Sequence, residues 1–295
     1  MERLLIGVAP NGARRTRQDH GALPLTPLEL ARTAAACAEA GAAMFHLHVR
    51  DKRGRHSLDP ELYRRAMTEV EAAVGEAMVI QVSSEAAGIY GPDEQIELMG
   101  RLAPRCISIG LCEFLGDCRY IDRAKDFFYS LSLNGTGIQF ILYSPHEVSL
   151  YEDFSRQGVL PGENHLLLFV VGSYQGKEDT VYSLEQYLAA LRGKNNWMAC
   201  GFGINEHRVI KEAMKLGGHV RIGFENNLHR PDGSVAKNNE ELVQMAMEVA
   251  AAMDRKPADG DFARSLFQTG LSAEDHGKSN KKTTQIQGVV VKTFS

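Results

Sequence analysis

Short aliphatic and β-branched runs alternate with longer stretches of helical period along most of the chain. The runs fall at residues 4–9, 44–49, 78–83, 106–110, 137–142, 165–171, 197–201 and 219–224. Their length and residue types predict strands. Between them, apolar positions recur every three to four residues at 27–39, 60–74, 93–102, 184–191, 206–215 and 239–253, the period of an amphipathic helix. Two helices carry start signals. Thr26-Pro27-Leu28-Glu29 combines an N-cap, a proline at the first helical position and a glutamate that reaches back, and Asp59-Pro60 repeats the opening. Residues 115–134 mix polar and aromatic side chains without a clean period, so the fourth and fifth units are the least regular.

Eight strand–helix alternations within residues 1–255 fit the α/β class and a TIM (β/α)8 barrel better than a Rossmann sheet, and no Gly-x-Gly-x-x-Gly follows the first strand. Residues 256–295 then form a C-terminal extension. Its polar stretch 273–284 reads as a loop, and the apolar run 285–291 is expected to dock on the barrel or on a neighbouring subunit.

The length of 295 residues suits a closed barrel, which takes roughly 250 residues. A content of 44% hydrophobic and 24% charged residues supplies a large core and a solvated surface. The net charge of -4 argues against a nucleic-acid or anionic-membrane partner, which normally demands a basic excess. No apolar stretch approaches the roughly 20 residues that cross a bilayer, and the first residues enter a strand without a signal-peptide pattern. The five cysteines (Cys37, Cys106, Cys112, Cys118 and Cys200) are odd in number, scattered and without a Cys-x-x-Cys pair. That pattern fits reduced thiols in a cytoplasmic protein, not a disulfide framework or zinc knuckle.

Candidate chemistry concentrates at strand ends. His46-Leu47-His48 places two imidazoles on one face of the second strand, at its C-terminal edge, where barrel active sites are assembled. Two neutral imidazoles and one carboxylate make an open zinc site, and Glu225 at the end of the last strand enters the same mouth. The plain alternatives are a hydrogen-bonded core pair and a loop-capping carboxylate. Arg221 shares strand parity with Gly223 and Glu225, and an arginine inside a barrel needs a carboxylate or phosphate beside it. The loop after the first strand is basic at Arg14, Arg15 and Arg17, which suits either solvent or an anionic ligand at the mouth. Gly201-Phe202-Gly203 offers backbone amides to a phosphate, a weak signal with two glycines only.

Taken together, these segments resemble the β-keto acid cleavage enzymes. The resemblance runs through Val8-Ala9-Pro10-Asn11-Gly12-Ala13, Leu23-Pro24-Leu25-Thr26-Pro27, Ala40-Gly41-Ala42, His46-Leu47-His48-Val49-Arg50-Asp51 and Gly54-Arg55-His56-Ser57-Leu58-Asp59. It resumes in Gly217-Gly218-His219-Val220-Arg221-Ile222-Gly223-Phe224-Glu225, Pro231-Asp232-Gly233 and Asn239-Glu240-Glu241-Leu242-Val243, and is thin across 110–165. It implies a barrel that moves an acyl group between a β-keto acid and acetyl-CoA, giving acetoacetate and a new acyl-CoA. It implies a divalent cation, zinc or a substitute, on His46, His48 and Glu225, with Arg221 orienting charge beside it. The cation stabilises an enolate formed at C2, the enolate attacks the thioester, and a retro-Claisen step releases acetoacetate. A homo-oligomer, dimer or tetramer, is also implied.

Three positions depart from the family pattern. Asn226 stands where the family has the aspartate that takes the substrate proton, and an amide cannot accept it. Ser83-Ser84-Glu85-Ala86 replaces the threonine- and glycine-rich text after the third strand, and a glutamate expected near the fifth strand has no clear counterpart in Ile138-Gln139-Phe140-Ile141-Leu142-Tyr143. Ser83, Glu85 and Glu113 are the remaining candidates for catalysis, with Asn11, Ser84 and Arg14 for substrate binding; Arg14 favours a dicarboxylic β-keto acid. A metal-dependent lyase or aldolase, a hydrolase on the same barrel, and a ligand-binding relative without turnover stay open on the residues alone.

Overall fold

A computed structural model of the protein describes residues 3–172 and 182–268. In chain order the elements are β1 (Ile6–Val8), α1 (Pro27–Glu39), β2 (Met44–Leu47), β3 (Val49–Arg50), β4 (His56–Ser57), α2 (Pro60–Val74), β5 (Val79–Ser83), α3 (Pro92–Leu102), β6 (Cys106–Gly110) and α4 (Leu111–Leu115). There follow α5 (Ile121–Leu133), β7 (Gly137–Leu142), α6 (Pro145–Arg156), β8 (Leu166–Val171), α7 (Leu184–Ala190), β9 (Trp197–Gly201), α8 (Glu206–Lys215), β10 (His219–Ile222), α9 (Asn239–Ala252) and α10 (Gly260–Ser265). Strands close in the order β1-β10-β9-β8-β7-β6-β5-β2, all parallel. The expected TIM barrel is therefore borne out.

Strand parity divides the barrel residues into two sets. Ile6, Val8, Phe45, Leu47, Val82, Ile107, Phe140, Phe169 and Ile222 face outward and join the helices in the main core. Met44, Val79, Cys106, Leu168, Met198 and Cys200 form a separate apolar cluster inside the barrel. Farther along the strands the inward positions turn polar, at His46, Gln81, Ser83, Ser108, Gln139 and Arg221, all buried. The inner surface thus changes from a dry floor to a polar upper layer at the C-terminal ends.

The start signals behave as their chemistry demands. Thr26 Oγ1 accepts the Glu29 amide while Glu29 Oε2 accepts the Thr26 amide, a reciprocal capping box, and Asp59 caps α2 through the Glu61 amide at 2.8 Å. Three local expectations need correction. The second strand stops at Leu47, because Val49–Arg50 leaves the barrel to pair antiparallel with His56–Ser57. The last strand stops at Ile222, so the parity argument linking Arg221 to Glu225 fails; a turn brings them together instead. The irregular stretch 115–134 contains the helix α5, whose buried Ile121, Ala124, Phe127, Phe128 and Leu131 keep a helical spacing despite the polar residues between them.

At the other end of the barrel, Leu4 exchanges hydrogen bonds with Lys256 O and the Ala258 amide, both at 2.8 Å. Phe267 covers Gly137, where an added Cβ would lie 2.5 Å from the phenylalanine Cβ. Residues 256–268 therefore pack under this barrel, while the expected loop 273–284 and apolar run 285–291 lie outside the described residues. Among the described residues no helix is long and apolar enough to cross a membrane.

Candidate metal centre and active cavity

The site begins with register. His46 on β2 is the neighbour of Gln81 on β5, both pointing into the barrel, and Gln81 Oε1 lies 2.8 Å from His46 Nδ1. An amide oxygen accepts, so this contact places the imidazole proton on Nδ1 and leaves Nε2 with a lone pair. Gln81 Nε2 in turn donates to Gln139 Oε1 at 3.0 Å, which fixes the orientation of the amide. Burial pushes His46 down to about 3; Glu225 opposes that shift, and Arg221 and His48 add to it. The ring is neutral. His48 follows just past the strand, with its Nε2 at 3.0 Å from His46 Nε2.

Glu225 arrives from a tight turn. Gly223 adopts φ +126°, and a Cβ there would meet Ala9 O at 2.5 Å, so only glycine lets the chain fold back against the end of β1. The Glu225 amide donates to Ala9 O at 3.0 Å, the Phe224 amide to Asn239 Oδ1 at 2.8 Å and the Gly223 amide to Glu206 Oε1 at 3.3 Å. Glu206 Oε2 also accepts Asn227 Nδ2 at 3.0 Å, so one buried carboxyl ties both flanks of the turn to α8. Gly12, at φ +57°, presses on the other side: a Cβ there would come 2.5 Å from Glu225 Cγ.

Glu225 Oε2 then stands 3.5 Å from His46 Nε2 and 3.4 Å from His48 Nε2, buried and without a hydrogen-bond partner. Its other oxygen accepts Arg221 Nη2 at 2.9 Å. Burial alone would raise this carboxyl, but Arg221 first, then His46 and His48, hold it well below the usual carboxylate range. One ligand atom from each of His46, His48 and Glu225 lies within 4.8 Å of the others. A buried anionic oxygen without a partner is costly. Two imidazole nitrogens and a carboxylate converging on it form a donor set that suits a divalent cation with one position open.

That open side faces a cavity of about 270 Å³. Of the residues singled out in the sequence, Arg14, Ser83, Glu85, Glu113 and Arg221 line it with His46 and Glu225. Arg14 Nη2 faces Glu85 Oε1 at 3.7 Å, and Glu85 Oε2 is 3.8 Å from His48 Nε2. Glu113 accepts the Ala86 amide at 3.1 Å and Gln95 Nε2 at 2.7 Å. Three other candidates are placed differently from expectation. Asn11 is buried and donates to Pro24 O and His48 O, propping the loop. Ser84 is buried and donates to Ser108 O at 2.8 Å. Asn226 lies behind Arg221, 3.5 Å from its Nη2, and is not among the lining residues. The Phe202 and Gly203 amides already serve Val171 O and Asn226 O, so neither is offered to a phosphate. His165 and His219 sit at the opposite strand ends, bonded to Tyr151 and the Leu5 amide.

Sequence reasoning passed over Gln81, Ser108, Tyr143 and Glu206. Gln81 had a readable signal, a polar residue inside the apolar run of β5. Ser108 and Tyr143 also line the cavity; Ser108 carries the same sign within Cys106–Gly110, whereas Tyr143 just past β7 carries none.

A sequence model of the β-keto acid cleavage enzymes matches residues 3–268. The chain belongs to this family. It is 28% identical over 274 residues to a 3-keto-5-aminohexanoate cleavage enzyme of Fusobacterium nucleatum, covering 90% of this chain and 98% of that one. It is 25% identical over 283 residues to a 3-oxoadipate:acetyl-CoA acetyltransferase of Cupriavidus necator, covering 93% and 98%. An apo structure of ObcA superposes with a TM-score of 0.64 at 18% identity, covering 85% of this chain and 66% of that one, a likeness of fold. The family expected from the motifs is borne out, and the chain is an enzyme of the β-keto acid cleavage type.

Proposed function

We propose that this β-keto acid cleavage enzyme takes a β-keto acid and acetyl-CoA to acetoacetate and a new acyl-CoA, using a divalent cation, zinc in the first instance, held by His46, His48 and Glu225. The observation that carries the reading is the unpartnered Oε2 of Glu225, faced by two imidazole nitrogens beside the cavity. The naming of acetyl-CoA and a β-keto acid in the Cupriavidus relative supports the co-substrates. When bound, the cation supplies Lewis acidity toward negative charge developing on substrate oxygens.

The chain's own residues do the rest. Arg221 keeps Glu225 ionised and brings a fixed positive charge to the developing anion. Ser83 Oγ accepts the Glu85 amide at 3.2 Å, which leaves its hydroxyl proton for a substrate oxygen. Ser108 Oγ is buried on the cavity wall without a partner and can donate in the same way. Asn226 cannot act as a base, so the proton at C2 falls to a cavity carboxylate, Glu85 or Glu113. The homo-oligomer belongs to the same reading and rests on the family resemblance, and the cytoplasmic setting rests on the five scattered, free cysteines.

Purified protein incubated with 3-oxoadipate and acetyl-CoA is expected to form acetoacetate in step with acyl-CoA, and to stop after chelation until metal is restored. Free CoA without acetoacetate would instead indicate a hydrolase. Arg14 sets the second expectation. Its guanidinium at the cavity wall favours a carboxylate at the far end of the substrate, so Arg14→Glu should lower kcat/KM for 3-oxoadipate by roughly 10- to 100-fold, about 1.4–2.7 kcal/mol of lost discrimination. Wild-type protein that prefers 3-keto-5-aminohexanoate over 3-oxoadipate in a side-by-side assay sinks that assignment.

A further inference from the structure

We propose that Glu113 is the acid/base group that removes the C2 proton of the β-keto acid and returns it at the end of the cycle. The inference rests on the acyl-transfer reading above and names the residue that the reaction otherwise lacks.

Three carboxylates line the cavity among the described residues: Glu85, Glu113 and Glu225. Glu225 is committed to the imidazoles and Arg221. Burial raises the Glu85 carboxyl, but it is engaged by charges: it faces the Arg14 guanidinium at 3.7 Å, which offsets part of that rise. Glu113 differs in kind. Both of its hydrogen-bond partners are neutral amides, the Ala86 N–H on one oxygen and Gln95 Nε2 on the other. Each oxygen therefore keeps a lone pair for the cavity, and the carboxyl is aimed without being neutralised. Gln95 Nε2 also donates to Ser84 O at 2.6 Å, so the clamp is anchored to the end of β5. Gly110 completes it: a Cβ there would lie 3.2 Å from Glu113 Cγ and Cδ, and its absence leaves room for the arm.

The titratable groups facing Glu113 are Glu85 beyond β5, His48 beyond β2 and the Tyr143 phenol beyond β7. On α6, Glu147 meets Cys112 of the same short helix. Burial raises Glu113 most, the Ala86 and Gln95 donors oppose it, and Glu85 adds to the rise, leaving it at about 7. A group so placed is ionised often enough to accept a proton and acidic enough to give it back.

The proton balance closes. Glu113 takes the C2 proton, and the C–H electron pair becomes an enolate that attacks the acetyl thioester carbon and expels CoA thiolate. The thiolate adds to the substrate's original keto carbon, and the bond from C2 to that carbon breaks with its electron pair on C2. Glu113 then returns its proton to C2, so acetoacetate leaves and no acid or base is consumed.

The experiment uses the first and last step alone. Metal-loaded protein is mixed with acetoacetate in D2O without acetyl-CoA, and loss of the C2 proton signal is followed by NMR across pH. Wild-type protein is expected to accelerate exchange with a rate that rises through a pH near 7. Glu113→Gln should slow it by about 10²- to 10⁴-fold and remove that rise, with metal content and acetoacetate affinity retained. Gln95→Met should keep exchange but move the rise to higher pH, because the carboxylate loses a donor; a merely structural clamp leaves its position unchanged. Glu85→Gln should retain the rise. A Glu113→Gln protein that exchanges at the wild-type rate, a Gln95→Met profile that does not move, or a rise lost only in Glu85→Gln each overturns the assignment. Wild-type protein that exchanges neither acetoacetate nor 3-oxoadipate overturns the acyl-transfer reading itself, and the inference with it.

Discussion

Glu225→Gln protein is expected to emerge from purification without metal, without measurable turnover, and with a thermal midpoint that no longer responds to chelator. Glu225 is the one anion of the three proposed ligands, and its Oε2 is the atom both imidazoles face, at 3.5 and 3.4 Å. An amide in its place brings no charge. Structural zinc sites supply on the order of 10–16 kcal/mol of binding, so losing about a third of the ligands lowers affinity by on the order of 10³-fold. The wild-type midpoint should fall when metal is stripped, because a ligand that binds only the folded state stabilises it by mass action. Elemental analysis and paired melting curves with and without chelator read both effects. Retention of stoichiometric metal by the variant sinks the ligand assignment.

The route by which these three side chains meet explains what the sequence made legible. Eight apolar runs were enough to expect a parallel barrel, since each is short, regularly spaced and followed by a helix or turn. The His46–His48 pair was readable because a period of two is local. Glu225 was readable as a carboxylate near a strand end, but for an incomplete reason. Strand parity does not carry from Arg221 to Glu225; the chain leaves the sheet at Ile222 and a glycine at φ +126° turns it back. That turn depends on contacts to Ala9, Glu206 and Asn239, residues distant in sequence. Non-local hydrogen bonds of this sort leave no periodic trace.

The same limit separates the candidates that line the cavity from those that do not. Ser84 and Asn226 sit beside residues that line it, and Asn11 lies three positions before Arg14, yet each is turned to other protein groups: Asn11 to Pro24 O, Ser84 to Ser108 O and Asn226 to Arg221. One residue along a strand or turn reverses the direction of a side chain, so adjacency in sequence is a weak guide to adjacency at a site. Gln81 illustrates the converse. It touches His46 through register alone, 35 positions away, and a polar residue within the apolar run of β5 was its one visible sign.

Arg221→Met protein is expected to lose stability chiefly when metal is absent, and that asymmetry tests how the site balances its charges. Arg221 and Glu225 have side chains only 3% and 8% exposed and are paired at 2.9 Å. Breaking a buried pair from one side costs about 3–5 kcal/mol, because the remaining charge stays buried. In a domain of this size that is roughly a 10 °C fall in Tm. Since Arg221 leads the effects that depress Glu225, its removal lets burial raise that carboxyl. The sign follows from linkage: a depressed folded-state value stabilises above the unfolded value and is lost as pH falls through the folded one. Wild-type protein should therefore keep this contribution until the pH is well below the usual carboxylate range, whereas the variant should lose it in milder acid. A bound divalent cation can take over the missing positive charge, so metal should raise the variant's Tm by more than it raises the wild type's. Turnover cannot be restored in the same way, since the fixed charge beside the developing anion is gone; a loss of about 10²- to 10³-fold should persist at saturating metal. Equal Tm values for the two proteins in chelator would mean that Arg221 is not what keeps Glu225 ionised, and the electrostatic account of the centre would have to be rebuilt around the histidines.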